Sequence, residues 1–140
     1  MVRTPEDWAN QIQPDRDLWP ASREDVGRFE QAVELLAERT FGKGRREFVY
    51  RLEMAPEYME DIVQGNTRRP ELLGAIAKRL LKSQAEATRD HGLKDEPVRG
   101  QAGVRRFRVT RSERVHYRYA GRETIRLLRY FGAGGHDAGL

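Results

Sequence analysis

Apolar residues along this chain recur first every three to four positions, then every second, and each change of period marks a change of element. Val26, Phe29, Val33, Leu36 and Ala37 follow the 3.6-residue spacing and predict a helix with one buried stripe. Ser22 is the expected N-cap, with Glu24 and Asp25 in the first turn, where the helix dipole favours negative charge. Gly42-Lys43-Gly44 ends that helix and supplies a hinge. Phe48, Tyr50, Leu52 and Met54 then alternate with Val49, Arg51 and Glu53, which predicts a strand over 48–54. Pro56, suited to a first helical position, opens a short helix carrying Tyr58, Met59, Ile62 and Val63. Gly65-Asn66 breaks it, and Pro70 starts a longer helix to about Arg89 with Leu72, Leu73, Ile76, Ala77, Leu80 and Leu81 on its apolar face. Asp90-His91-Gly92 closes this hairpin, and a polar loop is expected from there to Gly103.

Three further strands are expected, over 104–110, 113–120 and 123–131, with a tight turn at Ala120-Gly121-Arg122. Neighbouring strands with short connections pair antiparallel. The resulting class is α+β, in the order β-α-α-β-β-β, with an antiparallel sheet packed on a helical hairpin. Residues 1–46 form an N-terminal extension with one amphipathic helix, and residues 47–140 form the main domain. The first 21 residues look irregular, with Pro5, Pro14, Pro20 and two isolated tryptophans, Trp8 and Trp19, each expected to dock on the body of the protein. The extension helix is expected to pack on the domain, although its acidic balance would also suit covering a basic face or mediating dimerisation.

Charge changes the picture in the last third. The 140-residue chain has a formal net charge of +4, but residues 99–140 carry ten arginines against three acids. The two preceding stretches, 1–47 and 48–98, are each slightly acidic. The chain has only four lysines, so a general arginine preference accounts for Arg over Lys. It does not account for the loss of balancing acids. Alternation puts Arg106 and Arg108 on one side of their strand and Arg114, His116 and Arg118 on one side of the next, opposite Phe107, Val109, Val115, Tyr117 and Tyr119. Adjacent like charges on a sheet are destabilising, so a partner that neutralises them explains the cluster better than folding does. Phosphate backbone is the usual partner, and the guanidinium fork grips it bidentately. Docking on an acidic protein, or simple solvation, is the alternative.

The segments Gly103-Val104-Arg105-Arg106-Phe107-Arg108-Val109 and Glu113-Arg114-Val115-His116-Tyr117-Arg118-Tyr119 resemble the RelE/ParE superfamily of bacterial toxin–antitoxin toxins. The opening strand Tyr50–Glu57, the helical hairpin after it, and Ile125–Phe131 followed by Gly132 and His136-Asp137 are similar to the same pattern, over about residues 47–138. The resemblance implies a RelE-like fold and a cytoplasmic, metal-independent endoribonuclease acting on mRNA, often on the ribosome, with a cognate antitoxin and a possible homodimer. The RNA 2′-hydroxyl attacks the neighbouring phosphate to leave a 2′,3′-cyclic phosphate and a 5′-hydroxyl. That chemistry needs cations at the phosphate and groups that take and give a proton. By resemblance, Arg106, Arg108, Arg114 and His136 are the catalytic candidates, and Arg105, Arg111, His116, Arg118 and Arg129 the RNA-binding ones. The chain departs from the family in ending Asp137-Ala138-Gly139-Leu140, without a terminal aromatic residue, and in the Gly132-Ala133-Gly134-Gly135 run before His136. ParE-type relatives share the fold but inhibit DNA gyrase. A non-toxic nucleic-acid-binding module is a third reading.

Other chemistries find little support. The chain has no cysteine, and His91, His116 and His136 lack metal-ligand spacing, so no metal or other cofactor is expected. Ser22, Ser83 and Ser112 lack nucleophile-elbow surroundings. The carboxylates Glu60 and Asp61 read as a charged helix flank, and Glu113 as a turn residue or a base. No apolar run is long enough for a membrane span or signal peptide, so no membrane partner is expected.

Overall fold

A computed structural model describes residues 12–132; Trp8 and His136 lie outside them. The elements are α1 (Pro14–Asp17), α2 (Val26–Phe41), β1 (Arg51–Met54), α3 (Pro56–Gln64), α4 (Arg69–Leu80), α5 (Gln84–Arg89), β2 (Glu96–Pro97), β3 (Arg105–Thr110), β4 (Glu113–Tyr119) and β5 (Thr124–Phe131). They form one five-stranded sheet in the order β1-β5-β4-β3-β2. The three long strands pair antiparallel, as expected from their short connections. β1 lies parallel to β5, because the chain returns from it only after the helical crossover that a parallel pair requires. The fold is therefore α+β with the expected β-α-α-β-β-β order, to which α5 and the two-residue edge strand β2 are added.

The helices cover one face of the sheet. Leu72, Leu73, Ile76 and Leu80 of α4 are buried in one core with Phe107, Val115, Tyr117, Ile125 and Leu127 from the strands. At roughly 1.5–3 kcal/mol for each large side chain removed from water, this layer dominates the stability of the sheet. Phe29, Val33 and Ala37 of α2 are buried in the same core, as the stripe predicts; Val26 and Leu36 are partly buried against it, and Ala32, outside the stripe, is buried too. Trp19 is buried too, edge-on to Phe29 at 5.7 Å and beneath the Arg69 guanidinium at 4.8 Å. Among the described residues no helix is long and apolar enough to cross a membrane.

Four local expectations need correction. The extension helix begins at Val26, because the Asp25 carboxylate accepts the Ala21 N–H (2.8 Å) and residues 22–25 close as a turn. The first strand begins at Arg51, because Arg45–Glu47 forms a 3-10 turn and the Val49 N–H is donated to the Leu80 carbonyl (2.8 Å). The long helix divides after Leu80. Ser83 accepts the Glu86 N–H and Glu86 accepts the Ser83 N–H, a capping box that starts α5. The loop after it is not wholly polar: Leu93, Val98 and Val104 are buried, and so is Asp95.

Candidate nucleic-acid interface

The sheet face away from the helices gathers the arginines. The register sets Arg106 opposite His116 and Arg108 opposite Arg114. On the other side of β4, Arg114 faces Phe131, His116 faces Arg129, and Arg118 faces Arg126. Arg108–Arg114 and Arg118–Arg126 are thus directly opposed like charges, an arrangement that costs stability. Between Tyr117–Leu127 and His116–Arg129 the β5 strand holds one extra residue, Leu128, a β-bulge. The bulge turns Arg126 and Arg129 to the same side while Ile125, Leu127 and Tyr130 remain buried on the other. Arg126 is not among the sequence candidates, although alternation sets it opposite Ile125 and Leu127. The adjacent apolar pair Leu127-Leu128 is the signal for the bulge that brings Arg129 to the same side.

Each arginine is held differently. Arg106 donates to Glu96 on β2 at 2.6 and 3.0 Å. Arg114 donates through Nη1 to the carbonyls of Thr110 (2.9 Å), Arg111 (3.3 Å) and Glu113 (3.0 Å), which clamps it over the β3–β4 turn. Burial, followed by the positive charges of Arg108 and Arg106, holds its guanidinium below the ordinary value. Among the described residues Arg108 Nε, which is buried, has no hydrogen-bond partner. A buried donor left unpaired costs about 1–3 kcal/mol. An oxyanion arriving between Arg108 and Arg114 can neutralise both charges. Arg111 and Arg118 are exposed.

Other candidates sit elsewhere or are engaged. Arg105 points to the helix side, where Asp95 binds it (2.8 and 2.9 Å), not to the open face with its neighbours. His116 is on the open face but buried, its ring 4.5 Å from that of Phe131, so it is no exposed contact. Arg129 forms a bidentate pair with Asp61 of α3 (2.8 and 3.1 Å). The same carboxylate accepts the Tyr130 N–H at 2.9 Å, so Asp61 ties the end of β5 to a helix. Glu113 is a buried acceptor for Thr110 (2.8 Å) and the Tyr130 hydroxyl, with Arg68 at 3.8 Å. Burial and the Glu113 hydrogen bond push the Tyr130 phenol up, which keeps it a donor.

Behind the basic face lies a polar cluster that pattern reading missed. Asp95 accepts from Arg79 Nε (2.7 Å), the Tyr117 hydroxyl (2.5 Å), Gln84 (3.2 Å) and Arg105. Arg79 also donates to Tyr119 (2.6 Å) and to the Lys82 carbonyl (3.0 Å). Periodicity places Arg79 between apolar positions of α4 but cannot name its partner, which comes from a loop. Among the described residues no group of His, Asp or Glu side chains could hold a metal ion.

No protein-family model and no curated protein matches the chain. Among solved structures it is similar to the E. coli DinJ-YafQ complex in two crystal structures. One match has 17% identity over 65% of this chain and 97% of the other, with a TM-score of 0.44. The second, described as a toxin-antitoxin complex, has 20% identity over 66% and 97%, with a TM-score of 0.43.

Proposed function

We propose that this chain is a toxin of a toxin–antitoxin system that acts in the cytoplasm as a metal-independent endoribonuclease on mRNA. The observation that carries the reading is the Arg108–Arg114 pair, two directly opposed cations with the buried Arg108 Nε unpartnered. The sequence resemblance to RelE-type toxins adds the reaction class. A phosphodiester seated there would neutralise the two opposed guanidiniums. As the 2′-oxygen attacks phosphorus and loses its proton to a base, negative charge grows on the non-bridging oxygens, and the guanidiniums stabilise it. The bond to the 5′-oxygen breaks, that oxygen takes a proton from an acid, and a 2′,3′-cyclic phosphate remains. Arg106, Arg108 and Arg114 are the proposed phosphate residues, and His136 the proposed proton carrier. Arg118 and Arg111, with Arg126 added, extend the RNA track.

In this reading residues 47–140 form the toxin unit and residues 1–46 an extension, with a cognate antitoxin and the ribosome as partners. Induced expression with mapping of mRNA 5′ ends tests it. Cleavage that disappears in Arg114→Ala supports the nuclease. Growth arrest with intact mRNA and altered DNA supercoiling would instead identify a gyrase inhibitor, and harmless expression a binding module.

A further inference from the structure

A second surface lies at the β1 margin of the sheet, away from the paired arginines. A groove of about 580 Å³ runs there between α2 and β1. Val33, Phe48, Tyr50 and Leu52 give it an apolar floor. Glu30 and Glu34 form the α2 wall, and Glu53 and Glu123 stand at the strand side.

Two independent features describe what fits. The first is the backbone. Among the described residues β1 pairs with β5 alone, and the N–H groups of Arg51 and Ala55 are donated to the carbonyls of Glu123, just before β5, and Leu127 within it. In an extended strand successive N–H groups point in opposite directions, so the N–H of Leu52 faces the groove. Such an edge is a template for another strand. Four residues at about 3.3 Å each offer about 13 Å of it. The second is charge. Four carboxylates line the groove against Arg45 and Arg51, although the chain as a whole is basic. Arg45 is already paired with Glu34 at 3.6 Å. Partial burial raises the Glu30 carboxyl above its ordinary range, and Glu34 adds to the rise against the opposing effect of Arg45. A cation brought beside these carboxylates would relieve that cost.

We propose that this groove takes an extended, cation-bearing peptide segment of another protein, which adds to β1 as a sixth strand. Main-chain hydrogen bonds supply affinity; Glu30 and Glu34 select lysine or arginine side chains whose apolar stems lie on Phe48 and Leu52, and Glu53 meets a cation on the opposite side of the strand. The proposal does not rest on the ribonuclease reading.

The test uses the full chain and a blocked heptapeptide of alternating lysine and valine, with binding followed by fluorescence anisotropy and amide shifts by NMR. Expected are saturable binding, shifts centred on Tyr50 and Leu52, and at least tenfold weaker binding to a Glu30→Lys/Glu34→Lys variant shown by its melting curve to be folded. A peptide of the same charge but N-methylated at alternate residues should also bind at least tenfold more weakly. Equal binding of the methylated peptide would reduce the effect to charge attraction and overturn the strand addition. Shifts elsewhere, no saturation at millimolar peptide, or concentration-dependent shifts of Tyr50 and Leu52 without peptide would each overturn the proposal, the last in favour of self-pairing.

Discussion

Arg79 Nε lies 2.7 Å from Asp95 Oδ2, and the two side chains are 1% and 0% exposed. Asp95 also receives Arg105, so one carboxylate neutralises two guanidiniums beneath β3 and β4. Removing a single partner from a buried pair leaves an uncompensated charge, at a cost of about 3–5 kcal/mol. Asp95→Ala should therefore lower the free energy of unfolding in urea by about that amount. Arg79→Met combined with Asp95→Ala should cost clearly less than the sum of the single changes; additive costs would show that the two side chains do not interact.

The open face leads to the opposite expectation. Arg108 faces Arg114 and carries an unpaired buried Nε. Arg108→Met should leave stability unchanged or raise it by about 0.5 kcal/mol, since it removes a like-charge pair. The same variant should lose at least tenfold in affinity for single-stranded RNA and reduce the salt slope of binding by about one. A marked loss of stability would show that the arginine serves folding instead of a ligand.

Asp61 holds the end of β5 through both Arg129 and the Tyr130 N–H. Arg129 is half-exposed, so its share of the pair is screened and small. The backbone N–H, however, has no second protein acceptor once Asp61 is gone. Asp61→Ala should cost about 1–2 kcal/mol, and Arg129→Ala less than about 1 kcal/mol, by chemical denaturation.

Asp90 makes stability depend on acid. Burial raises its carboxyl, but the Leu93 N–H, Lys78 and the Gly92 N–H outweigh that effect, and the net shift is downward from 3.8. A depressed carboxyl contributes stability that is present above the unfolded value and is lost as pH falls through the folded one. The chain should therefore lose stability progressively below about pH 4. Asp90→Asn should be less stable at neutrality and show a shallower slope from pH 4 downward in urea titrations.

Much of this organisation is written locally. Alternation in 105–110 and 113–119 places Arg106, Arg108, Arg114 and Arg118 together because side chains on a strand switch sides at every residue. The apolar stripe of α2 and the prolines opening α3 and α4 are equally local. The Ser83–Glu86 capping box was present in the sequence as well, but an unbroken apolar face through Leu81 overrode it in the reading. The bulge at Leu128 shows in the sequence as two adjacent leucines, yet strict alternation from Leu127 would send Arg129 to the buried side.

Long-range partnership is different in kind. Nothing in the spacing of Arg79 points to Asp95, sixteen residues on, or to Tyr117 and Tyr119 beyond it. Alternation sets Arg105 on the side of Phe107, opposite Arg106, but does not name Asp95 as its partner. By itself the sequence determined the element types, the order of the domain and the excess of arginine on its last strands, because these depend on propensity and periodicity within a few residues. Tertiary structure alone decided which of those arginines are engaged and which donor is left unpaired. Those outcomes depend on register, on burial and on which acids the loops and helices bring within hydrogen-bond reach.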